Sequence, residues 1–272
     1  MIGGDSFGIF RMLLIVPYML FLSCGDKGLE PEQIMWRRQG IALADLNGIC
    51  GNSGNDVFAV GFSGAILHYD GESWNAMNSG TSVVLSDVWC SPNSEAFVVG
   101  WGGTILRYDG KTWNAMNSGT SAALMGVWGS SQNNVFAVGD GGTILHYDGE
   151  TWDAMESGTS QSLWAVWGSS GNDIFVVGVG VVLHYDGANW NAMDTEPLGY
   201  VTGVWGNSNS DVYIAGFIEH GGILHYDGNS WSHMNSGTCL TTTDVWSSSE
   251  NDVFAVGFNG EVLYCSPLVR EG

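Results

Sequence analysis

Three carboxylates, Asp45, Asp87 and Asp244, stand at the heads of short apolar segments and are the best placed for acid–base work. Asp87 and Asp244 each directly precede a Val-Trp pair, Val88-Trp89 and Val245-Trp246, so both occupy one register of one kind of element. Two positioned carboxylates are what glycoside hydrolysis needs. Four histidines, His68, His146, His184 and His225, share another position, with Arg107 and Tyr264 completing the set, and four imidazoles suggest zinc. Asp-Gly pairs at Asp70, Asp109, Asp148, Asp186 and Asp227 offer oxygen ligands for a harder cation. All three sets are periodic, and the period decides how they are read.

The segment VFAVGFSGAILHYDGESWNAMNSGTS at 57–82 returns at 97–121 and 135–160, then twice in looser form and once truncated. Ile49-Cys50 and the pairs beginning at Val88, Val127, Val166, Val204 and Val245 follow one another at 39, 39, 39, 38 and 41 residues. Trp74, Trp113, Trp152, Trp190 and Trp231 keep the same ruler. Within the third copy, Leu124–Trp128, Val135–Val138, Thr143–Tyr147 and Thr151–Met155 read as four strands. Asp148-Gly149 is a hairpin turn signal, because Gly accepts positive φ and Asp bonds its own backbone. Four strands in about 40 residues match one blade of a β-propeller. The expected fold is therefore all-β: a six-bladed propeller with four antiparallel strands per blade. The last copy stops after its third strand, while Gln33 to Gly40 resembles an orphan fourth strand with Trp36 in the place of Trp74. That strand would complete the last blade and close the ring, removing exposed sheet edges. The domain map is then 1–23 signal peptide, 24–32 linker, 33–265 propeller and 266–272 tail.

Periodicity disperses the candidate sites. The Asp-Gly pairs lie in separate hairpins and read as turn chemistry. The histidines sit on third strands, spread around the ring, and read as packing and hydrogen bonding between blades. Asp87, Asp244 and Asp45 read as solvated channel lining. What one blade has alone, in a loop, is the better guide to function. The turn between second and third strands carries Phe62, Trp101, Asp140, Val179, Phe217 and Phe258 in order, and the longer fifth-blade turn adds Ile218, Glu219 and His220. These turns share one face. Clustered aromatics there form a binding surface for a protein or a glycan, or else fold inward and seal the channel mouth.

The 272 residues are 44% apolar and 12% aromatic, ample for a large core. Seven Lys plus Arg against 28 Asp plus Glu give a net charge of −21, which repels phosphate backbones and excludes nucleic acid as a partner. Residues 12–22 form an apolar run preceded by Arg11, too short to span a bilayer and suited to a secretory signal. Its end, Phe21-Leu22-Ser23-Cys24, resembles a bacterial lipobox, which implies a lipid on Cys24 and anchoring at the cell envelope. An exported chain permits disulfides. Cys50, Cys90, Cys239 and Cys265 allow three pairings, with Cys50 and Cys90 near the ends of neighbouring first strands and Cys239 and Cys265 both in the closure region. A Cys239–Cys265 bridge would lock the ring. No metal-ligand spacing stands out.

The repeat VWGSS-x-x-N-x-VFAVG-x-GGTILHYDG-x-TW resembles secreted bacterial β-propeller repeat proteins of the BNR/Asp-box type over 33–265. Tyr147-Asp148-Gly149-Glu150-Thr151-Trp152 occupies the place of the Asp box but lacks the spacer between Asp and Gly, and that box is a fold element without a catalytic role. Sialidase chemistry in that superfamily implies three central arginines; Arg37, Arg38, Arg107 and Arg270 are placed off the inner strands. The expectation is a monomeric, exported, non-catalytic binding or scaffolding module without cofactors, for a protein or glycan ligand. The alternatives are a glycoside hydrolase or lyase using the channel carboxylates, and an assembly factor for a membrane complex.

Overall fold

The computed structural model describes residues 44–195, 198–218, 222–234, 242–249, 252–258 and 262–265. Six antiparallel sheets succeed one another along the chain, each meandering through sequence-adjacent strands. Five have four strands, and the sixth has three described strands, ending at Val262–Cys265. The third sheet comprises Leu124–Ser131, Asn134–Gly139, Ile144–Tyr147 and Trp152–Met155. Corresponding sheets span 46–77, 85–116, 163–192, 201–233 and 242–265. First strands of successive sheets lie side by side, which makes them the innermost elements. Trp36 and the rest of 33–43 lie outside the described residues, as do Cys24, Glu219, His220 and Cys239.

First strands run further than the sequence suggests. Leu124–Ser131 continues through the expected polar turn, leaving Gln132-Asn133 as a two-residue connection in which the Asn133 N–H donates to Ser131 Oγ at 3.3 Å. Second strands read as continuous apolar runs because both faces are covered. Phe58, Phe97, Phe136 and Phe175 are at most 1% exposed, and each lies against a third-strand tyrosine of the next sheet at 5.1–6.1 Å between ring centroids.

Closer to the axis, successive sheets meet through one recurring pair of positions. The first-strand Trp of one sheet lies over a Gly of the next. A methyl group at Gly129 would stand 2.7 Å from the Trp89 ring, and one at Gly168 would meet Trp128 at 2.7 Å. Gly206 is covered by Trp167 in the same way, at 2.6 Å. Between the fifth and sixth sheets, Trp205 covers Ser247 and donates from Nε1 to its carbonyl at 2.9 Å. Only glycine, or a small residue, leaves room for an indole at this distance.

The first two sheets use different chemistry at the same place. Cys50 holds the Trp position and Cys90 the Gly position, and they are joined by a disulfide. This selects one of the pairings that the sequence left open. Cys265 is an exposed free thiol on the sixth sheet.

The histidines bond within their own sheets, rather than between blades as the sequence reading expected. His68, His184 and His225 pair through Nε2 with Asp56, Asp173 and Asp211 at 2.7–2.8 Å, each carboxylate lying at the start of the neighbouring second strand. Their rings lie on Phe58, Phe175 and Tyr213 of the same sheet. Arg107 takes this role in the second sheet, against Glu95 at 2.8 Å. The third sheet differs: His146 Nε2 faces the neutral Asn134 Oδ1 at 2.7 Å, and its ring stacks on Phe136. Burial holds the His146 imidazole below the ordinary histidine value.

Two consequences are measurable. Removing the disulfide with Cys50→Ala and Cys90→Ala should lower the free energy of unfolding by about 2–4 kcal/mol in urea denaturation, the typical effect of such a cross-link. Cys50→Trp with Cys90→Gly recreates the neighbouring seams and should recover at least half of that loss. For His146, the unfolded chain takes up a proton before the folded chain does as pH falls. The stability carried by the neutral ring is therefore present above the ordinary value of 6.5 and is lost as pH drops below it, until the lower folded-state value is passed. Asn134→Asp supplies the carboxylate that the other histidines have. It should raise the His146 pKa in an NMR titration and reverse the sign of this pH dependence.

Candidate functional site

The turns between second and third strands are pinned to one end of each sheet by a backbone bond. The N–H of the first turn residue donates to the residue just before the first strand: Phe62 to Asp45 at 2.9 Å, Trp101 to Val84 at 3.0 Å, Asp140 to Ala123 at 2.9 Å, Val179 to Ser162 at 3.0 Å and Phe217 to Tyr200 at 2.7 Å. The turn is also pressed onto the link between sheets. Gly103 has φ 72°, and a methyl there would lie 2.0 Å from the Thr120 carbonyl oxygen. These bonds place Phe62, Trp101, Asp140, Val179 and Phe217 at one common edge, and Phe258 follows the sixth sheet's second strand at the same end.

On that edge four aromatic rings touch in sequence across three sheets. Trp164 stacks on Tyr200 at 5.5 Å, Tyr200 meets Phe217 edge-on at 5.9 Å, and Phe217 meets Phe258 at 5.6 Å. Tyr200, Phe217 and Phe258 are all exposed, at 46%, 44% and 39%. Trp101 is exposed on the second sheet, and Phe62 and Asp140 are half-buried on the first and third. Ile218, beside Phe217, is buried in the core rather than presented on the edge. Glu219 and His220, expected to add polar groups here, lie outside the described residues.

Trp164 and Tyr200 escape a search confined to the turn. They sit where a first strand begins, beside Leu163 and Val201. Asn47, Ser86 and Met125 hold the position of Trp164, and Asp45, Val84 and Ala123 hold that of Tyr200. Departure from the repeat, applied to these two further positions, is the signal that finds them.

The carboxylates are engaged differently. Asp87 Oδ1 accepts from its neighbour Val88 N–H at 2.9 Å, and Oδ2 accepts from Val127 N–H of the third sheet at 3.0 Å. It is a clamp between two inner strands, with both oxygens committed to backbone donors. Asp244 Oδ1 accepts from Val245 N–H at 3.0 Å, and a methyl at Gly203 of the preceding sheet would lie 2.6 Å from that oxygen. Asp45 is exposed and uses its carbonyl to pin Phe62. Asp87, Asp244 and Asp45 belong to the second, sixth and first sheets respectively.

The Asp-Gly pairs are turns, as their sequence implies. Asp148 Oδ1 accepts from Glu150 and Thr151 N–H at 2.8 Å each, and Asp70, Asp109, Asp186 and Asp227 repeat the pattern. These backbone donors hold the five carboxyls below the usual aspartate range. Among the described residues no group of three or more His, Cys, Asp or Glu is gathered to hold a metal ion.

No family model and no curated protein matches the sequence. Among solved structures, one described as YCF48 bound to D1 peptide superposes with a TM-score of 0.67 at 18% identity, covering 86% of this chain and 83% of that one. Another, YCF48 from Cyanidioschyzon merolae, aligns over 85% and 98% of the two chains at 17% identity with a TM-score of 0.47. The first of these likenesses, joined to six successive antiparallel sheets with their first strands innermost, makes the fold that of a β-propeller.

Proposed function

We propose that this chain is a non-catalytic propeller that captures an extended segment of a partner protein on the aromatic row Trp164–Tyr200–Phe217–Phe258. The observation that carries this reading is the row itself. Large rings in mutual contact, three of the four exposed along one edge, give apolar area and orientation at low entropic cost, as protein-binding surfaces do. The peptide seen with YCF48 supports a peptide as ligand class for a fold of this kind. The net charge of −21 favours neutral or basic segments over acidic ones. A hydrolase or lyase reading would require free carboxylates at the axis, and Asp87 has both oxygens on backbone donors.

In this reading the ring has six blades. Residues 33–40 supply the fourth strand of the sixth, in the register by which Trp74 pairs with Tyr69, which sets Trp36 opposite Cys265. Residues 1–23 direct export, and Cys24 carries a lipid that holds the propeller at the envelope. The Cys50–Cys90 disulfide is in keeping with an oxidising compartment.

A peptide array probed with the chain from Cys24 onward tests the binding reading. Bound peptides should be rich in apolar or aromatic residues and poor in Asp and Glu. Tyr200→Ala and Phe217→Ala should each weaken capture about tenfold or more, roughly 1.4 kcal/mol. The melting temperature should stay nearly constant, since both rings are exposed. Silence on peptides together with turnover of glycans abolished by Asp87→Asn would establish the hydrolase instead. For the anchor, mass spectrometry of the expressed chain should find a mature N-terminus at Cys24 bearing acyl groups, lost in Cys24→Ser.

A further inference from the structure

One position on the innermost strands alternates between sheets. From the first sheet to the sixth it reads Gly48, Asp87, Gly126, Ala165, Gly203, Asp244. The first, third and fifth sheets carry glycine; the second, fourth and sixth carry Asp, Ala and Asp. Each of these last three is pressed against the glycine of the sheet before it. A methyl at Gly48 would stand 3.0 Å from Asp87 Cα, one at Gly203 2.9 Å from Asp244 Cα, and one at Gly126 3.2 Å from Ala165 Cα. The backbone is built alike at all three places, and only the fourth sheet has a methyl group where the second and sixth have a carboxylate.

The second sheet shows what that carboxylate holds. Asp87 bridges two backbone donors, Val88 N–H on its own strand at 2.9 Å and Val127 N–H on the next sheet at 3.0 Å. Backbone groups along an antiparallel strand alternate between bonding their neighbour and facing away from it. Val88 and Val127 lie opposite Val98 and Ala137, and their N–H groups, held by Asp87, face away from those second strands. Val166 and Val204 lie opposite Val176 and Ile214 in the same register. Their N–H groups therefore face away from the second strands too, towards the axis. Among the described residues, side-chain carboxylates at this level serve Val88, Val127 and Val245; the pair Val166 and Val204 has Ala165 beside it instead.

We infer that the Val166 and Val204 N–H groups form a binding site for the carboxylate of a monocarboxylic ligand, which enters from the axis beside Ala165. Two backbone donors converging on one anion make charge-assisted hydrogen bonds. Asp87 demonstrates that donors at these positions on adjacent sheets suit a single carboxylate. The Ala165 methyl stands where Asp87 has its Cβ, so a free carboxylate lies nearer the axis than the carboxyl of Asp87 does. The charge of −21, with Asp87 and Asp244 at the same level, opposes dianions and phosphates and narrows the class to monocarboxylates. Every part of the site belongs to the third, fourth or fifth sheet. Ala165 follows Trp164, so the site adjoins the aromatic row, yet it requires neither a peptide on that row nor contact between the first and sixth sheets.

Acetate titrated into the isotope-labelled full chain, at constant ionic strength made up with chloride, should move the amide resonances of Val166 and Val204 downfield and to saturation. Those of Val88 and Val127, already on Asp87, should stay in place. Ala165→Asp puts the carboxylate on the chain itself and should weaken acetate binding by about tenfold or more. Ala165→Gly only widens the entrance and should bind acetate at least as well as the native chain. N-acetylglycine presents its carboxylate as a peptide terminus does: tighter binding than acetate, lost in its amide, assigns the site to a chain end, and equal or weaker binding assigns it to a free acid. Val166 and Val204 amides that ignore acetate, or that answer chloride equally, would overturn the inference, the second result meaning an adventitious ion only. Undiminished acetate binding by folded Ala165→Asp, or its loss in Ala165→Gly, would overturn it as well. None of these readouts depends on Tyr200, Phe217 or the ends of the series of sheets, so failure here and failure of the peptide-binding reading remain separate results.

Discussion

The close approach of a tryptophan to a glycine backbone sets the spacing of this molecule. An indole buries on the order of 150–250 Å², which at ~25 cal/mol/Å² corresponds to roughly 4–6 kcal/mol of transfer free energy. That gain is available only if the facing residue has no side chain in the way. Trp89 over Gly129, Trp128 over Gly168 and Trp167 over Gly206 satisfy the condition three times. The Trp and the Gly are adjacent in the sequence, as in Trp128-Gly129, so the third, fourth and fifth sheets both insert a ring and receive one. The same contact recurs at three of the five seams. The ring contacts between second-strand phenylalanines and third-strand tyrosines further out follow from that spacing.

The departures from the rule are informative because the rule is strict. Cys50–Cys90 joins the first two sheets at the position where an indole and a glycine would otherwise meet. A covalent bond replaces apolar area, and it does so without crowding, because two thiols occupy far less volume than an indole. Ser247 accepts Trp205 by exchanging some clearance for a hydrogen bond to its own carbonyl. The histidine position shows the same economy of design. Three sheets use an ionisable pair, the second sheet uses Arg107 with Glu95, and the third makes do with Asn134, leaving His146 neutral.

Much of the fold is legible in the sequence because the sequence repeats itself. The 39-residue ruler, the four apolar segments and the Asp-Gly turns predict the sheets, their order and their hairpins. First-strand length is less legible, since Gly129, Ser130 and Ser131 look like a turn until the ring lying over Gly129 is known. Aligning Cys50 to the tryptophans and Cys90 to the glycines would have revealed the disulfide; their separation of 40 is one more than the period, which conceals it. The histidine partners were hidden in another way. Asp56, Asp173 and Asp211 stand in stretches that read as polar turns, and only the pairing register brings them beside the third strand. Half of the aromatic row was readable: Phe217 and Phe258 lie in the turn, whereas Trp164 and Tyr200 reach it from the strand beside it.

Propeller geometry also decides what kind of site such a molecule supports. Residues repeated around an axis move apart as their distance from it grows, so only inner-strand side chains are near enough to act together. At the position of Asp87 and Asp244 the other four sheets carry Gly48, Gly126, Ala165 and Gly203. Gly48 is needed because Asp87 lies against it, its Cα 3.0 Å from where a methyl would be, and Gly203 is needed because Asp244 does the same. The inner strands are thus occupied by backbone clamps and the space those clamps require, and Asp87 is held where its charge is already satisfied by two N–H donors. The ends of the sheets face no such constraint. Turn residues there can vary without disturbing a seam, and it is there that this chain departs from its own repeat, with large rings set side by side.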